Sequence, residues 1–146
     1  MATTTTDENK ELIHEYLAAW NDEERETFPP ILAEDFTATY TNPTGVVTQL
    51  DADQLRDLWT ESFEERSHPQ TEVHEMVAEN DRVLTRITYS FLHDGDYLGI
   101  APTGDRIEYQ EYFSFRIENG EIAELHSLAD NLNRLRQLDV EIPIDG

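Results

Sequence analysis

Leu12, Ile13, Tyr16, Leu17 and Trp20 recur at helical spacing, with Glu8, Glu11 and Glu15 on the other side, and this predicts an amphipathic helix over about residues 7–21. Such a face needs an apolar surface to lie against. Pro29-Pro30 suits the first turn of a short helix through Ala33, ahead of the β-prone run Phe36-Thr-Ala-Thr-Tyr40 and a turn at Asn42-Pro-Thr-Gly45. Asp51 is placed to cap a further helix that carries Leu55, Leu58, Trp59 and Phe63 on one face and stops near Ser67, before Pro69.

From Thr71 the period changes from helical to alternating. Strands are expected over Thr71 to Ala78 and Arg82 to Leu92, joined at Asn80-Asp81, and over Arg106 to Glu118 and Glu121 to Ala129, joined at Asn119-Gly120. Asp94-Gly95 is expected to make the intervening hairpin, and Leu132, Leu135 and Leu138 to carry a closing helix over Asn131 to Leu138. Helices first and strands afterwards imply an α+β domain, a strongly curved antiparallel sheet wrapped around the N-terminal helices. The mouth of such a cone is a natural ligand site. Residues 1–6 read as a flexible Thr-rich start and residues 7–146 as one domain.

Composition narrows the function classes. The chain has 146 residues, with 32 acids against 10 basic residues and a formal net charge of -22. Lys10 is its one lysine. The acids are scattered through every predicted element, which fits a protein of a salt-rich, halophilic cytoplasm better than an acidic docking tail. Nucleic acid is a poor partner for such a surface. No apolar run reaches the ~20 residues of a membrane span, and the Met1-Ala-Thr start has neither the basic nor the apolar region of a signal peptide. The absence of cysteine excludes disulfides, thiol nucleophiles and thiolate metal sites. His14, His68, His74, His93 and His126 show no metal-ligand spacing, so no metal is expected.

A two-residue turn at Asn119-Gly120 sets Tyr109 opposite Asp130, Glu111 opposite Leu128, Phe113 opposite His126 and Phe115 opposite Glu124, all on one face. This predicts a pocket lined by Tyr109, Glu111 and Phe113, with Trp20, Tyr40 and Trp59 contributed by the other elements. A carboxylate among aromatic rings has its pKa raised toward the range useful for proton transfer. Asp130 is the candidate by that argument, and it is equally placed to cap the closing helix. His126 is a candidate assistant or a hydrogen-bonded core histidine. His93 is either a second assistant or a residue of a solvated hairpin. Glu111 needs a partner or solvent, and a structural salt bridge to Arg86 on the neighbouring strand is one candidate.

Several runs together carry a family resemblance: Tyr16-Leu-Ala-Ala-Trp20-Asn21, Leu32-Ala-Glu-Asp35-Phe36, His93-Asp-Gly95, Gly99-Ile-Ala-Pro102-Thr103-Gly104, Phe115-Arg116 with Gly120-Glu-Ile122, and Glu124 with Asp130 ahead of Gln137-Leu138. The chain resembles the SnoaL-like polyketide cyclase (ester cyclase) family, within the NTF2-like group of cone-shaped α+β folds. The resemblance implies a cofactor-free cyclase or isomerase in which one acid, at the position of Asp130, serves as base and then acid on a small hydrophobic carbonyl compound or ester. It also implies a homodimer. The chain departs from the family pattern at His126, where tryptophan is common, near Glu111, where a glycine is common, and at Phe113, where a polar residue is common. Two other functions fit the same cone: a hydrolase or isomerase using an acid pair, and a small-ligand-binding or dimerisation module without catalysis.

Overall fold

The computed structural model describes residues 4–141. Helix α1 (Thr6–Ala19) begins at a capping box in which the Thr5 side chain accepts from Glu8 N–H and the Glu8 side chain accepts from Thr5 N–H. Thr5 and Thr6 are therefore part of a defined helix start, whereas Met1 to Thr3 of the stretch expected to be flexible lie outside the described residues. Helix α2 (Ala52–Glu65) starts at the expected Asp51 cap, with Gln54 completing a second capping box.

Strands β1 (Leu32–Thr41), β2 (Val47–Asp51), β3 (Ser67–Glu79), β4 (Arg82–Leu92), β5 (Arg106–Glu118) and β6 (Glu121–Ala129) form one sheet in the order β2-β1-β6-β5-β4-β3, and helix α3 (Asn131–Gln137) follows. The α+β cone is as expected, but the sheet is mixed, because β1 runs parallel to β6 while every other neighbouring pair is antiparallel. The short helix expected after Pro29-Pro30 does not form. Ile31 O accepts from Ile122 N–H at 2.7 Å and Leu32 pairs with Ile122, so this buried apolar run is drawn into the sheet as strand. Strand β2 was not expected. It lies at the sheet edge with most of its side chains at least partly exposed, and Asn42 Oδ1, accepting from the N–H groups of Thr44 and Val46, sets the turn that returns it onto β1.

The helices cover the concave face. Ile13, Tyr16 and Leu17 of α1 pack with Phe36, Phe91, Phe115 and Ile122 from the sheet, and the Tyr16 and Phe115 rings meet edge to face at 5.3 Å. Trp59 of α2 donates its indole N–H to Ala19 O at 2.6 Å and thereby ties the two helices together.

Two corrections concern connections. Asp94-Gly95 does not make a tight hairpin; residues 93–105 form a longer loop closed by His93 N–H to Asp105 O at 2.8 Å and Gly104 N–H to His93 O at 2.9 Å. Asn119-Gly120 is the expected turn, with both residues at positive φ and Glu118 opposite Glu121. The ladder then slips: Ile117 faces Ile122, but Arg116 faces Glu124, so Ala123 is an extra residue in β6. Beyond this bulge every β6 side chain is on the opposite face from the one a regular hairpin assigns. Glu111 lies opposite Ala129, Phe113 opposite Ser127 and Phe115 opposite Leu125.

Candidate functional site

Alternation along the inner strand faces and the bulge together set what lines the cone. Tyr89 comes from β4, Tyr109, Glu111 and Phe113 from β5, Leu125 and Ser127 from β6, and Ala38 and Tyr40 from β1. Tyr16, Leu17 and Trp20 contribute from α1 and the turn after it, Leu55, Leu58 and Arg66 from α2 and its end, Tyr97 and Leu98 from the 93–105 loop, and Arg134 from α3. They enclose a cavity of about 250 Å³.

Glu111 is the carboxylate projected from the inner face of β5 among these aromatic groups. Burial raises its pKa above the ordinary 4.5, against the opposing pull of Arg134, the Ser127 hydroxyl and Arg66. Arg134 is 8% exposed, lies 3.9 Å from the centre of the Tyr109 ring and donates from Nη1 to the Tyr97 hydroxyl at 3.0 Å. Burial also raises the phenols of Tyr16 and Tyr109 far above their ordinary range, so both stay neutral and protonated. The site thus combines one acid that exchanges protons nearer neutrality than a surface carboxylate does, permanent positive charge beside it, and flat apolar walls.

Of the residues singled out from the sequence, Trp20, Tyr40, Tyr109, Glu111 and Phe113 line the cavity together. Trp59 does not; it is buried behind the lining, between Phe28 and Phe63. His126 is on the outer face because of the bulge, opposite Ser114, with Nε2 2.7 Å from Glu124 Oε1. Glu124 is held there as well by Arg116 Nε at 3.2 Å. Asp130 is exposed, and its Oδ1 accepts from Asn133 N–H at 3.2 Å as the cap of α3. His93, read as either a second assistant or a solvated hairpin residue, is 0% exposed: Nδ1 lies 3.0 Å from Thr103 Oγ1 and Nε2 3.3 Å from Ile100 O, which holds the loop that carries Tyr97 and Leu98 to the cavity. Arg86 pairs with Glu75 and bonds Gln110 rather than Glu111, because it points from the outer face of β4.

Arg66, Tyr97, Ser127 and Arg134 were missed. Ser127 follows once the bulge is known. Arg134 and Arg66 resemble solvated helix-end residues in the sequence, and their burial is set by packing between elements far apart in the chain. Among the described residues no group of three or more His, Asp or Glu is placed to hold a metal ion, and no helix is long and apolar enough to cross a membrane.

A family model described as SnoaL-like polyketide cyclase matches residues 10–138. Among solved structures, AclR of Streptomyces galilaeus superposes with a TM-score of 0.81 at 24% identity, covering 94% of this chain and 100% of its own. IdmH of Streptomyces antibioticus gives 0.78 at 24% identity, over 90% of this chain and 99% of its own. A protein of ketosteroid isomerase-like fold from Catenulispora acidiphila gives 0.71 at 13% identity, over 93% of this chain and 98% of its own. At these identities the likeness carries the fold. No curated protein is detectably similar to the chain.

Proposed function

Since the chain belongs to the SnoaL-like polyketide cyclase family, we propose that it is a cyclase or isomerase that moves a proton on a small hydrophobic carbonyl compound, with Glu111 as the acid and base. The observation that carries this reading is Glu111 itself, a carboxylate with a burial-raised pKa on the wall of an aromatic cavity, next to Arg134.

Ionised Glu111 takes a proton from the carbon next to the substrate carbonyl. The C–H electron pair becomes the enolate, and the negative charge that develops on its oxygen is met by the Arg134 guanidinium. The enolate carbon then attacks a second carbonyl of the same molecule, forming one C–C bond, and the resulting alkoxide takes the proton back from Glu111. Where no second carbonyl is in reach, return of the proton to a different carbon gives isomerisation. Positioned acid–base catalysis of this kind contributes roughly 10²–10⁴-fold in rate. The Tyr109 and Phe113 rings orient a flat substrate.

The test is deuterium uptake from D2O into the activated methylene of a panel of aryl 1,3-diketones and aryl β-keto esters. Wild-type protein should accelerate uptake for at least one of them, and Glu111→Gln should lose roughly 10²-fold or more of that rate. An unchanged rate in Glu111→Gln contradicts the role.

Asp130, the acid that the family resemblance selects, is here a helix cap, which also suits a domain that binds a ligand without converting it. Glu111 with Arg134 favours catalysis over that second reading. Val77, Leu84, Tyr112 and Leu128 form an exposed apolar stripe on the outer sheet face, at 49–62% exposure, and support the homodimer. The scattered acid excess, with a net charge of -22, supports a salt-rich cytoplasm.

A further inference from the structure

Proton transfer between Glu111 and a substrate held by Arg134 leaves a second guanidinium in the cavity without a task. Arg66 stands at the end of α2, where its N–H still donates to Ser62 O at 3.0 Å. Its guanidinium lies 5.6 Å from the Tyr89 ring centre and 5.7 Å from that of Phe91. Among the described residues its Nε is buried without a hydrogen-bond partner, as are Nε of Arg134 and of Arg25.

Neither guanidinium forms an ion pair among the described residues, although the chain has 32 acids and 10 basic residues. Glu65, the neighbour of Arg66, is exposed at the cavity edge and does not pair with it. Arg66 is half-buried, and a guanidinium with a buried, unfilled donor is costly unless an anion completes it; an arginine fork matches a planar carboxylate in two parallel bonds. The cavity, at about 250 Å³, is just below the roughly 300–1,000 Å³ usual for ligand pockets, which favours a compact molecule.

We infer that Arg66 is a substrate-binding residue for a carboxylate, and that the substrate class is a compact aromatic oxo acid. Its carboxylate is held by Arg66, its ring rests on the Tyr89 and Tyr109 walls, and its reacting carbonyl lies toward Glu111 and Arg134. This rests on the proton-transfer reading of the same cavity.

The inference is tested by calorimetric titration of wild-type protein with 2-naphthoate, 2-naphthamide and 2-naphthyl phosphate. None of these probes carries an exchangeable carbon-bound α-proton, so binding is read independently of Glu111 chemistry. Naphthoate should bind at least about tenfold more tightly than naphthamide. Equal or weaker binding of naphthoate overturns the inference, and tighter binding of the phosphate overturns the carboxylate assignment. Arg66→Met, which keeps the stem and removes the charge, should abolish the preference for naphthoate and leave naphthamide affinity unchanged; a retained preference in that variant also overturns it. The wild-type comparison stands even if Arg66→Met does not fold. Glu111→Gln should keep the preference for naphthoate while losing deuterium uptake on the diketones. Loss of the anion preference with Glu111-dependent uptake intact removes this inference alone, and the reverse pattern removes the acid–base role alone.

Discussion

Glu111 and Asp130 divide between them what the sequence assigns to one acid. Asp130 carries the family position, but its carboxylate is exposed and occupied as the cap of α3. Asn caps a helix about as well as Asp, so Asp130→Asn should leave thermal stability and deuterium uptake close to wild type, while Asp130→Ala should cost about 1 kcal/mol in denaturant unfolding and also retain uptake. Glu111 behaves oppositely. Its folded pKa is raised, so its contribution to stability is full below the unfolded value near 4.5 and is lost as pH rises through the folded value. Glu111→Gln should therefore be at least as stable as wild type at neutral pH, and relative to the variant the wild type should gain stability as the pH is lowered toward 4.5. A variant markedly less stable at neutral pH would mean that the ionised carboxylate is held by its arginines. Glu111 was legible as a pocket residue from alternation alone. The arginines of the same cavity were not, because Arg66 and Arg134 sit at helix ends that usually face water, and only the packed loop and sheet draw them inward.

At the scale of elements, local chemistry was readable and long-range register was not. The Asp51 cap, the Asn119-Gly120 turn and the spans of β4, β5 and β6 follow from neighbouring residues, and all are present. The Ala123 bulge does not, since sheet curvature places it and no local composition signals it. That one residue moves His126 and Glu124 to the outer face and brings Ser127 inward. The Pro29-Pro30 helix failed for a related reason: pairing with a distant strand outweighed a local preference. The 93–105 loop offers a separate test. His93 and Thr103 are joined inside it, and Thr103 Oγ1 also accepts from Asp105 N–H at 3.2 Å. Thr103→Val leaves a ring nitrogen of buried His93 unsatisfied, at a cost of roughly 1–3 kcal/mol. Hydrogen exchange at Tyr97 and Ile100, which bond each other across the loop, should accelerate while exchange in β4 and β5 stays slow.

The whole molecule is an acidic α+β cone with an open sheet, α1 and α2 across its inner face and a polar pair of arginines inside an aromatic cavity. Two of its properties act at this scale. A net charge of -22 repels itself, so molar KCl should raise the melting temperature by screening, and an unchanged or lowered value would count against a salt-adapted surface. The outer stripe at Tyr112, 54% exposed, and Leu128, 62% exposed, is the face the proposed homodimer would cover, so on that proposal Leu128→Asp should shift light scattering from dimer to monomer without unfolding the chain. The cavity's chemistry, however, depends on one proton. The decisive measurement is the titration of the Glu111 carboxyl carbon by NMR in protein labelled at glutamate carboxyl groups, the signal being assigned by its absence in Glu111→Gln. A midpoint clearly above 4.5 is expected for the cavity acid. A midpoint at or below 4.5 would show that its arginines hold Glu111 ionised, and would contradict its role as the group that takes and returns the proton.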